Sequence, residues 1–206
     1  MRTAVEILRY GTREPVEAEL FDEVTLDDFL ETQEKWRPLL VQATKQLVLS
    51  GADENVIPRH FHWNWSQKEA ELRVLAFSFY GIRCEKELQG LMKVSTVGHV
   101  CRHPDQKGKS VVYVDYLETA PWNIKVLMQA LGKRPQFAAI GSRLIEAAVR
   151  KSLEEGFKGR VALHSLSTSE KFYIDNCEMT ALERDPDKED LLWSEFTPQQ
   201  AEKFLS

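Results

Sequence analysis

Residues 136–156, QFAAIGSRLIEAAVRKSLEEG, open on small side chains around one glycine and turn at once into a periodic run. The apolar residues Ile140, Leu144, Ile145, Ala148 and Val149 recur at steps of three and four, the spacing of one buried helical face. Gly156 stands where a helix stop is expected, and Gly159 follows it. Upstream, residues 111–121 read VVYVDYLETAP, a strand-like run closed by proline; downstream, residues 160–166 read RVALHSL, another strand. Strand, small-residue turn, helix and strand predict a βαβ-like unit. A helix start of this kind favours an anion, because its first N–H groups lack intrahelical partners and the helix dipole adds positive potential. Small side chains at Ala138, Ala139, Gly141 and Ser142 let a ligand come close to that backbone. The same residues also serve as packing devices at a tight turn, and periodicity alone does not choose between the two.

The rest of the chain sets limits. At 206 residues it is long enough for a substantial core and reads as one domain, 1–206. Charged residues are 29% of the total with a formal net charge of −5, which gives no dominant basic surface, so nucleic acid is not an expected partner. Cys84, Cys101 and Cys177 are odd in number and lack framework spacing, which points to a reducing compartment. The first residues carry scattered charges rather than an apolar core, unlike a secretory signal. No apolar run approaches the roughly 18 residues that span a membrane. A cytoplasmic protein without membrane partners is expected.

In order, residues 4–10 predict a first strand and residues 11–24 a turn and polar connection. Thr25 with Asp28 forms a capping-box pattern opening a helix that carries Leu26, Phe29, Leu30, Trp36, Leu39, Leu40, Ala43 and Leu47 inward, ending near Ser50 and Gly51. Residues 59–65, RHFHWNW, concentrate two histidines and three aromatics, and Ser66 with Glu69 suggests another helix start. Residues 74–84, 88–103 and 111–119 predict an antiparallel meander. A short helix is expected within 122–135, another from Ser167 or Thr168, a hairpin across Pro186-Asp187, and a helix start at Thr197-Pro198-Gln199-Gln200.

With these elements in order, residues 136–141 resemble the acetyl-coenzyme A motif of the GNAT N-acetyltransferase superfamily, Gln/Arg-x-x-Gly-x-Gly/Ala. Gln136 matches the first position and Gly141 the last, while Ala139 stands where glycine is usual. Residues 115–121, DYLETAP, resemble the family's fourth strand, and residues 164–179, HSLSTSEKFYIDNCEM, a later helix on the CoA side marked by the pair Phe172-Tyr173. The chain departs from the pattern at Leu166 and Ser169, where the family has Asn and Ala, and at Cys177-Glu178-Met179, where it has Gly-Phe. The resemblance implies an α/β (α+β) fold: a mixed, mostly antiparallel sheet of about seven strands flanked by helices, with the fourth and fifth strands parallel and splayed. It further implies transfer of an acetyl group from acetyl-CoA to a primary amine of a small molecule, by direct attack in a ternary complex. Leu117, Glu118 and Thr119 would pair with the pantetheine arm like an added strand. Gln136, Ala138, Ala139, Ile140, Gly141 and Ser142 would take the pyrophosphate, with Arg143 adding charge or remaining a solvated cation, and Phe172 would line the CoA side. Tyr173 would protonate the departing sulfur; the alternative is a buried tyrosine whose hydroxyl merely finds a partner. Family members are often dimers.

The acceptor side is less determined. An alkylammonium has a pKa near ~10.4 and must lose a proton before it attacks, so a carboxylate is expected nearby. Asp115 shares a strand face with Tyr113, Leu117 and Thr119, the face that by the resemblance looks towards the acceptor, and is the first candidate base; Glu118 is the second, if the bulge that the resemblance implies turns it into the slot. Trp63 and Trp65, with Trp122 and Asn123, either wall an amine pocket or close the core, and His60 or His62 would relay a proton or bond the backbone. His99, Cys101 and His103 alternate without the bracketing spacing of a zinc site, so no metal is expected. Two other readings stay open: a protein or aminoacyl-RNA acceptor, and a non-catalytic acyl-CoA-binding or interaction module.

Overall fold

The computed structural model of the chain describes residues 2–53 and 56–206, without the side chain of Phe61. The strands are β1 (Arg2–Arg9), β2 (Pro15–Phe21), β3 (Phe77–Cys84), β4 (Glu87–Ser95), β5 (Val112–Thr119), β6 (Phe137–Ala138), β7 (Val161–Ser165), β8 (Thr180–Asp185) and β9 (Leu191–Glu195). The helices are α1 (Leu26–Glu31), α2 (Arg37–Leu49), α3 (Lys125–Ala130), α4 (Ile140–Glu154) and α5 (Pro198–Leu205). One nine-stranded sheet has the order β6-β1-β2-β3-β4-β5-β7-β9-β8. β5 and β7 are its parallel pair, in register from Val112↔Val161 to Val114↔Leu163.

Nine strands exceed the expected number by two. The first addition is β2, where a polar connection was expected: Val16, Ala18 and Leu20 alternate with glutamates, and the strand pairs with both β1 and β3. The second is the two-residue β6, which exists through its pairing with Leu8 and Arg9 of β1. A further correction concerns residues 96–103, expected to continue a strand. β4 ends at Ser95, and the next residues form a loop with an isolated bridge between Val100 and Ser110.

The chain divides into two compact units. One contains the chain up to Val74, Phe79–Leu91 and Leu117–Leu144. Within it the Thr25–Asp28 capping box forms as expected, with Thr25 N–H donating to Asp28 Oδ2 at 2.8 Å. The expected single helix is interrupted by a π-helical segment, Thr32–Trp36, before α2. Leu40, Ala43 and Leu47 of α2 pack on Leu127 and Met128 of α3. Residues 65–73 form a 3-10 run capped by Asn64, whose side chain accepts from Ser66 N–H; the expected Ser66–Glu69 cap is replaced by this one.

The other unit contains Leu75–Ser78, Met92–Tyr116 and the chain from Ile145 onward. α4 stops as expected. Phe157 N–H bonds Ser152 O at 2.7 Å and Gly156 N–H bonds Leu153 O at 3.0 Å, with Gly156 at φ +74°. α5 opens with the expected capping box, Thr197 N–H to Gln200 Oε1 at 2.9 Å and Gln200 N–H to Thr197 Oγ1 at 3.3 Å. Along the whole of α4, the apolar face read from the sequence is the buried one: Ile140, Leu144, Ile145, Ala148 and Val149 are at most 2% exposed. No helix among the described residues is long and apolar enough to cross a membrane.

Candidate active site

The small-residue turn is assembled by its neighbours. Gln136 O accepts from Tyr10 N–H at 2.8 Å, Gln136 N–H donates to Trp122 O at 3.0 Å, and Phe137 N–H donates to Asn123 Oδ1 at 3.0 Å. Phe137 is buried under the Arg9 guanidinium, 5.3 Å from its ring centroid. Ala139 then takes φ +68°, the left-handed conformation that suits glycine, and α4 starts at the next residue. Ala138, Ala139, Gly141 and Ser142 are half-buried and Gln136 is exposed, so the helix start is open to an approaching group. Arg143 extends to β1, its Nε donating to Glu6 O at 2.7 Å.

Gly90 on β4 brings this helix start to the end of β5. A Cβ on Gly90 would lie 2.7 Å from Ile140 Cγ2, 3.1 Å from Leu144 Cδ1 and 3.4 Å from Glu118 O. The segments 117–119 and 136–143, assigned to a single ligand by resemblance, therefore meet around one glycine.

Glu118 has the strongest electrostatic signature among these residues. It is 7% exposed, and Oε2 accepts the Trp65 indole N–H at 2.7 Å. Burial pushes its carboxyl up to about 7; the Trp65 hydrogen bond and the charges of Arg37 and Lys68 pull the other way without winning. Oε1 faces His60 Nε2 at 3.9 Å. Burial, helped by His62, pushes His60 down to about 4, so its ring is neutral at physiological pH. Phe29 packs beside Trp65 at 5.7 Å and beside Phe79 at 5.6 Å, an aromatic cluster around the indole that bonds the carboxyl.

Trp63, Trp65, Trp122 and Asn123 read from the sequence as either pocket walls or core residues. Trp65 is 1% exposed and its N–H is committed to Glu118, so it is the floor beneath that carboxyl rather than an open wall. Trp63 is half-buried, 5.6 Å from the His60 ring. Trp122 Nε1 and Asn123 Nδ2 both donate to Gln89 Oε1 at 2.9 Å, so their polar groups brace the small-residue turn instead of standing ready for an acceptor. Gln89, not singled out in the sequence, is the hub. It is 1% exposed, and its amide also donates to Cys84 O at 3.3 Å. A glutamine inside the apolar run LQGLM is the signal that would have found it.

In the other unit, Asp115 Oδ2 lies 3.9 Å from Lys93 Nζ, a buried ammonium 3.8 Å above the Phe77 ring. Tyr173 is buried in a π-helical turn, Phe172–Asn176, with Phe172 edge-on at 5.0 Å. Burial, with Cys177 nearby, drives its phenol well above the ordinary tyrosine value, so it is a protonated donor at any physiological pH. The same unit carries a chain of bonds the sequence did not reveal. Tyr113 OH and His164 Nδ1 are 2.7 Å apart, His164 Nε2 and Asp185 Oδ2 are 3.0 Å apart, and Arg102 donates to the same oxygen at 2.6 Å. Arg102 holds Asp185 below the usual carboxylate range. An ionised Asp185 fixes the proton on Nε2, which leaves Nδ1 to accept the tyrosine hydroxyl. His99 stacks on Tyr113 at 3.7 Å, Cys101 is buried with its thiol pushed up to about 11, and His103 Nδ1 accepts from Asp105 N–H.

No family model and no curated protein matches the sequence. Solved structures do. A PaiA N-acetyltransferase from Thermoplasma acidophilum, in complex with coenzyme A, is 15% identical over 86% of this chain and 97% of its own, with a TM-score of 0.53. A GNAT-family acetyltransferase from Listeria monocytogenes is 13% identical over 93% and 99% of the two chains, with a TM-score of 0.53. The GNAT domain of S. lividans PAT is 14% identical over 95% and 96%, with a TM-score of 0.51. With its mixed sheet, parallel β5–β7 pair and small-residue turn into α4, the chain has the fold of the GNAT N-acetyltransferases.

Proposed function

We propose that the chain binds acetyl-CoA at the α4 start and the end of β5 and transfers the acetyl group to a primary amine of a small molecule. The observation that carries this reading is Glu118, a buried carboxyl held near neutrality at the strand end that meets the small-residue turn. A carboxyl titrating near 7 is matched to removing a proton from an ammonium at physiological pH. Asp115, the first candidate base, sits instead beside the Lys93 ammonium, 3.9 Å from its Nζ. The half-buried Ala138, Ala139, Gly141 and Ser142 fit a pyrophosphate approached by backbone N–H groups, and the CoA-bound Thermoplasma enzyme lends support through the shared fold.

In the reaction, Glu118 takes a proton from the ammonium and the freed nitrogen attacks the thioester carbonyl. The C–S bond then breaks, and the second proton that the nitrogen loses as the amide forms balances the one that ends on the sulfur; by the resemblance, Tyr173 would be the group that delivers it. Holding both substrates together removes most of the entropic barrier to that encounter. Calorimetry with acetyl-CoA, followed by turnover with a panel of primary amines, tests the proposal. Micromolar binding, turnover above background, and a loss of about tenfold or more in kcat for Tyr173→Phe are expected. Binding without turnover, identical for Tyr173→Phe, would leave an acyl-CoA-binding module; no binding at all would remove the donor site as well.

A further inference from the structure

His60 Nε2 is a buried ring nitrogen without a hydrogen-bond partner among the described residues, and it faces Glu118 Oε1 at 3.9 Å. That separation is too long for a hydrogen bond and too short for two independent solvation shells. One water set off the line between them would lie about 2.8 Å from both atoms, satisfying an otherwise unpaired buried ring nitrogen. The other carboxyl oxygen is taken by Trp65.

Proton balance gives this geometry a task. An ammonium and a thioester yield an amide, a thiol and one free proton. Of the three N–H protons, one stays on the amide, one ends on sulfur, and one must leave. Glu118 is 7% exposed and one of its oxygens is taken by Trp65, so little of the carboxyl meets solvent directly. His60 lies on the Arg59–His62 turn, whose His62 is exposed.

We infer that His60 is the proton exit of the site, receiving the proton of the Glu118 carboxylic acid at Nε2 through one bridging water and passing it to bulk solvent from Nδ1. The O–H bond of Glu118 breaks as an N–H bond forms on His60. Loss of the Nδ1 proton leaves a neutral ring, and tautomer exchange resets it. The charges that bear on the pair are Arg37 and Lys68 on Glu118 and His62 on His60. The inference rests on Glu118 being the base.

The test uses the full chain, acetyl-CoA and whichever primary amine of the panel turns over fastest. His60→Ala is expected to lower kcat about tenfold in weak buffer with KM for acetyl-CoA unchanged, and added imidazole to restore most of the loss. His60→Gln is expected to lose the same activity, and His62→Gln none. If His60→Ala matches the parent, or imidazole restores nothing, while Glu118→Gln is inactive, the exit is elsewhere and the base stands. If Glu118→Gln keeps full turnover, the base is wrong and the exit falls with it. One measurement needs no amine: in a histidine NMR titration, the neutral His60 ring is expected to report the ionisation of the facing Glu118 as a shift with its midpoint near 7, and Glu118→Gln to abolish that shift. An unchanged His60 titration would show that the two groups do not communicate and would overturn the relay.

Discussion

Glu118 costs the fold something wherever it is ionised. Its folded pKa of about 7 lies above the ordinary 4.5, so the folded protein holds this proton more tightly than the unfolded chain. The stabilising protonated form is fully present below about 4.5, and stability falls as pH rises to about 7 and stays lower beyond. The span corresponds to roughly 3 kcal/mol. Glu118→Gln keeps an oxygen for the Trp65 N–H and is expected to raise Tm at pH 8 by several degrees, with little change at pH 4.5, while turnover falls by about 10² or more. Melting curves at the two pH values, set beside the rate, check it; equal shifts at both would mean that the carboxyl is not destabilised by burial. Little of this was legible in sequence. Glu118 was readable as a carboxylate on a strand, but strand parity favoured Asp115. What separates them, Trp65 beneath one and Lys93 beside the other, comes from segments far away in the chain.

Among the elements, α4 was legible almost entirely, because its face, its Gly156 stop and its small-residue start are all local signals. Two details at its ends were not. Ala139 occupies φ +68°, where a Cβ is disfavoured by about 1–2 kcal/mol. Ala139→Gly is therefore expected to stabilise the protein by about 0.5–1 kcal/mol, after allowing for the extra freedom of glycine in the unfolded chain, and thermal denaturation measures it. At the other end, Gly159 has φ +78°, and a Cβ there would lie 2.7 Å from Ala201 Cβ on α5. Gly159→Ala is expected to cost about 2 kcal/mol or more, since it combines strain with a clash against a short helix; a loss under 0.5 kcal/mol would mean that α5 yields easily. β2 escaped the sequence reading for a physical reason. Its apolar residues alternate with glutamates, but only Ala18 and Phe21 are buried, on opposite faces, so no single core face stands out, and its place comes from pairing on both sides.

For the molecule as a whole, the small-residue turn depends on the first strand of the chain. Leu8 and Arg9 pair with Ala138 and Phe137, and Tyr10 N–H holds Gln136 O at 2.8 Å. Replacing Tyr10 with proline removes that donor and leaves the turn chemistry untouched. Acetyl-CoA binding is expected to weaken several-fold with the far-UV circular dichroism unchanged; unaltered affinity would show that β6 needs no support from β1. Pairing across so long a stretch of chain leaves no local trace, so the two-residue β6 was invisible to periodicity although the turn beside it was plain.

Gln89 sets a rule for anyone who would redesign this protein. One amide oxygen takes the N–H groups of Trp122 and Asn123, and Asn123 in turn holds Phe137 at the head of the turn. Substitutions at Gln89, Trp122 and Asn123 will therefore combine non-additively, with coupling energies of about 0.5–3 kcal/mol in double-mutant cycles. A library that varies Trp122 or Asn123 will also perturb, unasked, the small-residue turn at the start of α4.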